Sequence, residues 1–401
     1  METLFYQVGL ITIVATLFAF LARYTKQPLI PAYILTGFLL GPAFNLISNT
    51  SFIEALSELG IIFLLFLVGL ELDLSKLKPI ANVAIIGGFA QIFFTALIAY
   101  LISTKLGYAT IPSVYFGLII ALSSTMVVVK MLSDKRQLDT AHGRIIIGIL
   151  ILQDIVAIAA ILFLESTESI TNSIPLLILH ITLTFSIIIL ILHFIAPVLF
   201  DIAAYMSELL LLLSLSLCFF FVILFQWSGF SMSIGAFIAG MLLANLPYRL
   251  EITSKLRSLR DFFATLFFVS LGMQLSFETL QGLFWPVVIF VLLTLLLKPL
   301  ILLGICNAFG YTKRSAFITA ISLAQVSEFS LILAAEGLKL GHLNYNMLTI
   351  IVLVTMITIT LSSYLFNFEY YIYKLMLPFL ALMEKIHVTK PKFMLLPKRE
   401  K

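Results

Sequence analysis

The sequence predicts an all-α polytopic membrane protein of about thirteen transmembrane helices, built as inverted repeats with two discontinuous helices. Three observations carry that prediction. The 401-residue chain is 61% hydrophobic and 11% charged, with a mean hydropathy of +1.14, far outside the range of soluble domains. Apolar segments separated by Gly, Pro or charge recur at the ~17–25-residue length that spans a bilayer. Two of these segments carry small polar interruptions in corresponding places.

The segments fall near 3–22, 28–46, 54–72, 80–103, 112–132, 143–164, 174–199, 208–226, 229–246, 259–275, 283–308, 314–337 and 344–367. The first follows Met1 and Glu2 without a basic leader, and Leu4–Leu21 is long enough to span, so it reads as a membrane helix and not a signal peptide. The division between the eighth and ninth, at Trp227–Gly229, is the least marked. An odd number of spans puts the termini on opposite sides. With the N-terminus outside, the inner loops hold Arg23 and Lys26, then Lys76 and Lys78, then Lys130, Lys135, Arg136 and Arg144. They also hold Arg249, Lys255, Arg257, Arg260, Lys313 and Arg314, while the outer side holds only Lys105 and Lys339. This is the positive-inside asymmetry, and only the loop with Asp201 and Glu208 lacks basic residues among the inner ones. It predicts a multi-pass protein of the cell (inner) membrane with a cytoplasmic C-terminus. Residues 1–368 form the membrane domain, and 369–401 a basic cytoplasmic tail or linker suited to the membrane surface. Topology accounts for the net charge of +4, so the partner implied is the lipid bilayer and not nucleic acid.

The sixth segment contains the sharpest chemical signal. Ile145–Leu164 reads IIIGILILQDIVAIAAILFL, whose only polar residues are Gln153 and Asp154. A charged side chain at the centre of such a helix costs about 2.5–3.5 kcal/mol on insertion scales, which makes it a functional hypothesis by default. Burial favours the protonated carboxyl and a bound cation favours the ionised one, so one group can hold a proton or a metal ion in turn. That competition is itself an exchange mechanism. The structural alternative is a carboxylate tied to a buried base, and for Gln153 an interhelical hydrogen bond.

Ala121–Val129 (ALSSTMVVV) and Ile321–Ser330 (ISLAQVSEFS) interrupt the fifth and twelfth spans. Seven spans separate them, an odd number, so the two copies enter the membrane from opposite faces. Non-helical backbone at membrane depth survives only against protein or a wet cavity; packing of small polar residues between helices is the other reading. Ser123, Ser124 and Thr125 offer oxygens suited to a hard alkali cation. Glu328, beside Ser327 and Gln325, either steers cations or fixes the broken helix. Lys298, in LLLKPLI, has Asp154, Glu328 or loosened carbonyls as partners, or snorkels to an interface. Glu71 and Asp73 read as a helix end or funnel mouth. His180 and His193 lack metal spacing, and Cys218 and Cys306 read as packing residues. With no phosphate loop and no Ser–His–Asp arrangement, the sequence does not read as an enzyme.

GLELD at Gly69–Asp73, ALSST at Ala121–Thr125, LQDIVAI at Leu152–Ile158, FFVSLGM at Phe267–Met273 and SEF at Ser327–Phe329 occur in this order. Together they resemble the monovalent cation:proton antiporter-2 family, in particular the membrane part of Kef-type potassium efflux transporters and their sodium/proton-exchanging relatives. The resemblance covers about residues 5–370. It implies a thirteen-helix secondary antiporter with core and dimerisation domains, working as a homodimer by an elevator movement. The core would contain two crossing broken helices, holding Ser123–Thr125 and Gln325–Glu328. The ion-carrying aspartate maps onto Asp154, which thereby holds the monovalent cation and the proton, with Gln153, Ser123, Ser124 and Thr125 in the coordination. Gln153 before it matches the electroneutral, Kef-like pattern and tilts the substrate toward potassium over sodium. Lys298 matches a basic position of the core, and Glu328, Gln325 and Ser327 support it. No cofactor is implied beyond the transported cation and proton. Two features depart from the Kef pattern. The acidic loop expected after the ninth span is basic here, Tyr248–Asp261 reading YRLEITSKLRSLRD, and the nucleotide-binding regulatory domain of many relatives is not expected within these residues. A regulatory domain or subunit would act at the tail. The alternative function is a gated, channel-like potassium efflux protein.

Overall fold

The computed structural model describes residues 4–47, 50–71, 83–138, 140–166, 194, 196–228, 231–275 and 282–385, and among these all regular structure is helical. In chain order the first half holds α1 (Leu4–Tyr24), α2 (Leu29–Phe38, continued by a π-helical turn Leu39–Ala43) and α3 (Thr50–Glu71). Then come α4 (Gly88–Lys105, preceded by a π-helical turn Val83–Gly87), α5 (Thr110–Ala121), α6 (Thr125–Asp134) and α7 (Ala141–Ser166). The second half holds α8 (Ala196–Ala203), α9 (Ser207–Trp227), α10 (Met232–Leu243), α11 (Arg249–Met273) and α12 (Phe284–Leu292). A π-helical turn at Leu293–Leu297 leads into α13 (Lys298–Ala308), then α14 (Lys313–Ser322), α15 (Glu328–Lys339), α16 (Tyr345–Asn367) and α17 (Glu369–Lys385).

Among the described residues, seven helical segments are long and apolar enough to cross a membrane, and they coincide with the first, fourth, fifth, sixth, eighth, eleventh and thirteenth expected spans. The second and ninth expected spans are shorter apolar helices, Leu29–Ala43 and Met232–Leu243. Of the span expected at 174–199, residues 174–193 and 195 lie outside the described residues. The division at Trp227–Gly229 separates two helices, since α9 stops at Trp227 and α10 starts at Met232.

The chain forms two compact units. The first comprises Met1–Ala19, Ala32–Asp73 and Ala159–Leu275. Its centre is α3, packed on α10 and α11. The close approach is set by glycine: a Cβ on Gly69 would strike the Phe237 carbonyl, and one on Gly240 would strike the Phe66 carbonyl. Gly37 and Gly272 meet the carbonyls of Val269 and Ile34 in the same reciprocal way. Small residues that let helix backbones touch are the usual device of packing within lipid.

The basic stretch Tyr248–Asp261, read from sequence as a loop, is the N-cap and first half of α11. Ile252 and Leu256, one helical turn apart, are both buried and anchor it. Glu251 pairs with Lys255 at 3.6 Å along the helix. Arg249 Nη2 donates to the Glu71 carbonyl at 3.0 Å, and Arg260 Nη1 lies 3.0 Å from Glu71 Oε1. The arginines therefore cap the C-terminus of α3, where exposed carbonyls favour cations.

The second unit comprises Phe20–Pro31, Leu74–Ile158 and Ser276–Lys401. It uses one pattern twice: a helix with a π-helical turn, a helix interrupted at mid-length, and an unbroken helix. The first copy is α4, α5 with α6, and α7 as far as Ile158; the second is α12 with α13, α14 with α15, and α16. The stretch after residue 368 opens with α17, which packs on α14 and buries Leu380. Lys135 fastens its start: Nζ donates to the Phe366 carbonyl at 2.7 Å, lies 3.1 Å from Glu369 Oε1, and sits 4.0 Å above the Phe366 ring.

Candidate functional site

Both interruptions lie in the second unit. Helix α5 stops at Ala121, and Leu122 and Ser124 take extended conformations, with ψ of 150° and 114°. Ser124 then caps α6 by accepting from Val127 N at 3.3 Å. Helix α14 stops at Ser322, and Ser327, with ψ of 153°, caps α15 by accepting from Phe329 N at 3.1 Å. No Gly or Pro lies in either interruption. Serine makes each restart possible, because its short side chain serves orphan N–H groups at a helix start.

An interrupted helix also exposes carbonyls at its end, and within a membrane protein each needs a donor. Lys298 Nζ supplies two, donating to Leu122 O at 2.7 Å and to Gln325 O at 2.8 Å. Of the partners weighed for this lysine, the structure joins it to the loosened carbonyls of both interruptions. Its ammonium stands at the negative ends of two half-helices, and it is fully buried. The π-helical turn at Leu293–Leu297 ends at this residue, a local widening that recurs at functional positions. The two interruptions also bind each other. Ser123 Oγ donates to Leu323 O at 3.0 Å, and Gln325 Nε2 to Ser124 O at 3.4 Å. Ser330 Oγ donates to Ile119 O at 2.9 Å.

Asp154 stands at the opposite kind of terminus. Thr125, the first residue of α6, donates from Oγ1 to Asp154 Oδ2 at 2.9 Å. The carboxylate thus faces the positive end of a half-helix. Asp154 and Thr125 are half-buried, whereas Ser123, Ser124, Gln153, Lys298 and Gln325 are fully buried and Ser327 and Glu328 nearly so. The nine residues singled out from sequence are thus gathered on two interruptions and the helices beside them, but only two retain access. Glu328 is the first residue of α15, where an acid complements the helix dipole. Gln153 is turned to the backbone: Oε1 accepts from Ser123 N at 2.9 Å, and Nε2 donates to Ala121 O at 3.4 Å.

Three supporting residues escaped the sequence reading. Gln91 of α4 accepts from Gln153 Nε2 at 2.5 Å. Thr358 of α16 accepts from Val326 N at 3.3 Å, and Ser362 donates to Gln325 Oε1. Gln91 was visible in principle, as the only glutamine of the fourth span. Thr358 and Ser362 look like any helix-packing hydroxyl.

A family model described as the transmembrane sodium/hydrogen exchanger matches residues 9–367. K(+) efflux antiporter 6 of Arabidopsis thaliana is 29% identical over 340 residues, covering 82% of this chain and 57% of that protein. The Na(+)/H(+)-K(+) antiporter GerN of Bacillus cereus is 27% identical over 381 residues, covering 90% of this chain and 96% of its own. The chain spans 57% to 62% of the length of Arabidopsis potassium efflux relatives. The solved sodium proton antiporter MjNhaP1 of Methanocaldococcus jannaschii shares the fold, with a TM-score of 0.62 at 20% identity over 92% of this chain and 97% of that one.

Proposed function

Because this chain belongs to the sodium/hydrogen exchanger family, we propose that it is a secondary antiporter exchanging a monovalent cation for protons. The observation that carries the reading is Asp154: a half-buried carboxylate bonded to Thr125 at a half-helix N-terminus, next to backbone freed from helix. Two states of one carboxyl give the chemistry. An arriving cation displaces the proton, and a returning proton displaces the cation. Thr125 and the oxygens of the first interruption complete the cation's shell. Gln153 is neutral, so one bound cation and one bound proton leave the same net charge, which supports one-for-one, electroneutral exchange. Lys298 and Glu328 act as fixed charges that hold the two crossing half-helix pairs.

The carrier is the second unit, moving in alternating access of the elevator type, in a homodimer whose dimerisation part is the first unit. Thirteen spans, an outer N-terminus and a cytoplasmic C-terminus follow from the loop charges. A regulatory domain or subunit acts at the C-terminal stretch. Gln153 before Asp154 and the K(+) efflux antiporters among the relatives favour potassium over sodium for this chain, while the relative GerN is named for both cations.

The test is proton flux into proteoliposomes, read with a pH-sensitive dye under a clamped membrane potential, with potassium or sodium added in turn. Cation-triggered proton movement that ignores the clamp and vanishes in Asp154→Asn is the expected result. Normal exchange in Asp154→Asn would refute the site, and cation current without proton movement would establish a channel instead.

A further inference from the structure

Gln91 lies on α4, 62 residues before Gln153, and is fully buried. Its Nε2 donates to Ala121 O at 3.0 Å and to Thr95 Oγ1 at 3.2 Å, while its Oε1 accepts from Gln153 Nε2 at 2.5 Å. Gln153 Oε1 accepts in turn from Ser123 N at 2.9 Å. The chain of bonds therefore begins at the carbonyl of Ala121 and ends at the N–H of Ser123, two backbone groups of one interruption. Two side-chain amides replace, in a ring, the hydrogen bonds that the helix gave up.

The ring has a direction. A primary amide can turn over and exchange its oxygen with its nitrogen. If Gln153 turned over, its N–H groups would face the Ser123 N–H. Gln91 opposes this by offering Gln153 an oxygen and no hydrogen, at 2.5 Å against the 3.4 Å of the other acceptor of that amide, Ala121 O. Its own orientation is held by Ala121 O, which can only accept, while the Thr95 hydroxyl serves either orientation. From this geometry we infer that Gln91 is a positioning residue for cation binding. It orients Gln153, and through it the interrupted backbone that delivers Thr125 to Asp154. The inference rests on the antiport reading of Asp154.

The experiment compares exchange kinetics of the wild type, Gln91→Met, Gln91→Glu and Asp154→Asn in proteoliposomes across a pH series, with melting temperatures taken in detergent. Gln91→Met keeps the volume and removes the amide. It should raise the cation concentration at half-maximal exchange about tenfold, the scale of one lost buried hydrogen bond, with the maximal rate changed less than about twofold. A wild-type half-maximal concentration in a Gln91→Met protein that melts like the wild type overturns the inference. Where Gln91→Met fails to fold, Gln91→Glu decides. When protonated, the introduced carboxyl donates to Ala121 O and accepts from Gln153, as the amide does. When ionised, it loses the donor. Its half-maximal concentration, divided by the wild-type value at each pH, should therefore be near one at low pH and rise at high pH. A ratio flat across the series, whether near one or high, overturns the inference. Asp154→Asn separates the two levels: exchange surviving there refutes the antiport reading, whereas an inactive Asp154→Asn beside an unaffected Gln91→Met refutes only the positioning role.

Discussion

At the scale of single residues, charge and helix ends are matched at the two interruptions. Lys298 faces two C-terminal carbonyls, Glu328 opens α15, and Asp154 faces the start of α6. Lys298 illustrates the energetics. Its two charge-assisted bonds are each worth about 1.5–3 kcal/mol, and both acceptors are buried. Lys298→Met keeps most of the stem but leaves Leu122 O and Gln325 O without this donor. It should lower the melting temperature of the detergent-solubilised protein by several degrees, and an unchanged melting curve would show that the lysine does not hold the interruptions. Asp154 and Lys298 were legible in sequence because a charge within an apolar span stands out whatever surrounds it. Which carbonyl Lys298 reaches was not legible, since that depends on two interruptions about 200 residues apart meeting in space. Gln91 was missed for a related reason: one amide among Phe, Thr and Ala signals nothing until Gln153 is placed opposite it.

At the scale of elements, the two interruptions were readable because they come as a pair, ALSST and LAQVSEF, each with a serine where the helix restarts. Helix ends were less readable. The start of α11 is so rich in Arg and Lys that composition reads as loop, yet Ile252 and Leu256 keep helical spacing and the arginines are spent on the end of α3. Helix α17 hid for a similar reason, as Tyr and Lys masked the buried Leu380. Glycine seams were not singled out either, because each needs its partner helix. Gly240→Ala should force α3 and α10 apart, since the new Cβ meets the Phe66 carbonyl, a backbone atom with no room to yield. The expected cost is about 1–3 kcal/mol, the range for overpacking a tight contact. Gly9→Ala, which meets open space, is the control and should melt like the wild type. Equal melting of both variants would mean that the seam is looser than described.

At the scale of the whole molecule, the two units differ in how they spend their buried hydroxyls. In the first unit Thr36, Ser214, Ser228 and Ser270 bond carbonyls of their own helices, leaving packing to apolar and glycine contacts. In the second unit Thr294, Ser322 and Thr355 do the same, but Ser123, Ser330 and Ser362 also bond across to other elements, alongside Gln91, Gln153 and Lys298. One unit is an apolar scaffold by its chemistry, and the other contains a connected polar interior, the arrangement that a dehydrated ion requires. Sequence composition, averaged over the chain, conceals the division.

The shared bonding of the two interruptions has a consequence for local motion. Segments without helical hydrogen bonds ordinarily open first and take up deuterium from solvent within moments. Here the N–H of Ser123 is held by Gln153 and that of Val326 by Thr358, both in buried surroundings. In hydrogen–deuterium exchange these two amides should label as slowly as those inside α7 or α16. Rapid labelling at Ser123 and Val326 would show the interruptions opening on their own. Slow labelling would mean that the irregular backbone is as rigid as the helices around it, so that any movement carrying an ion shifts the pair of interruptions intact.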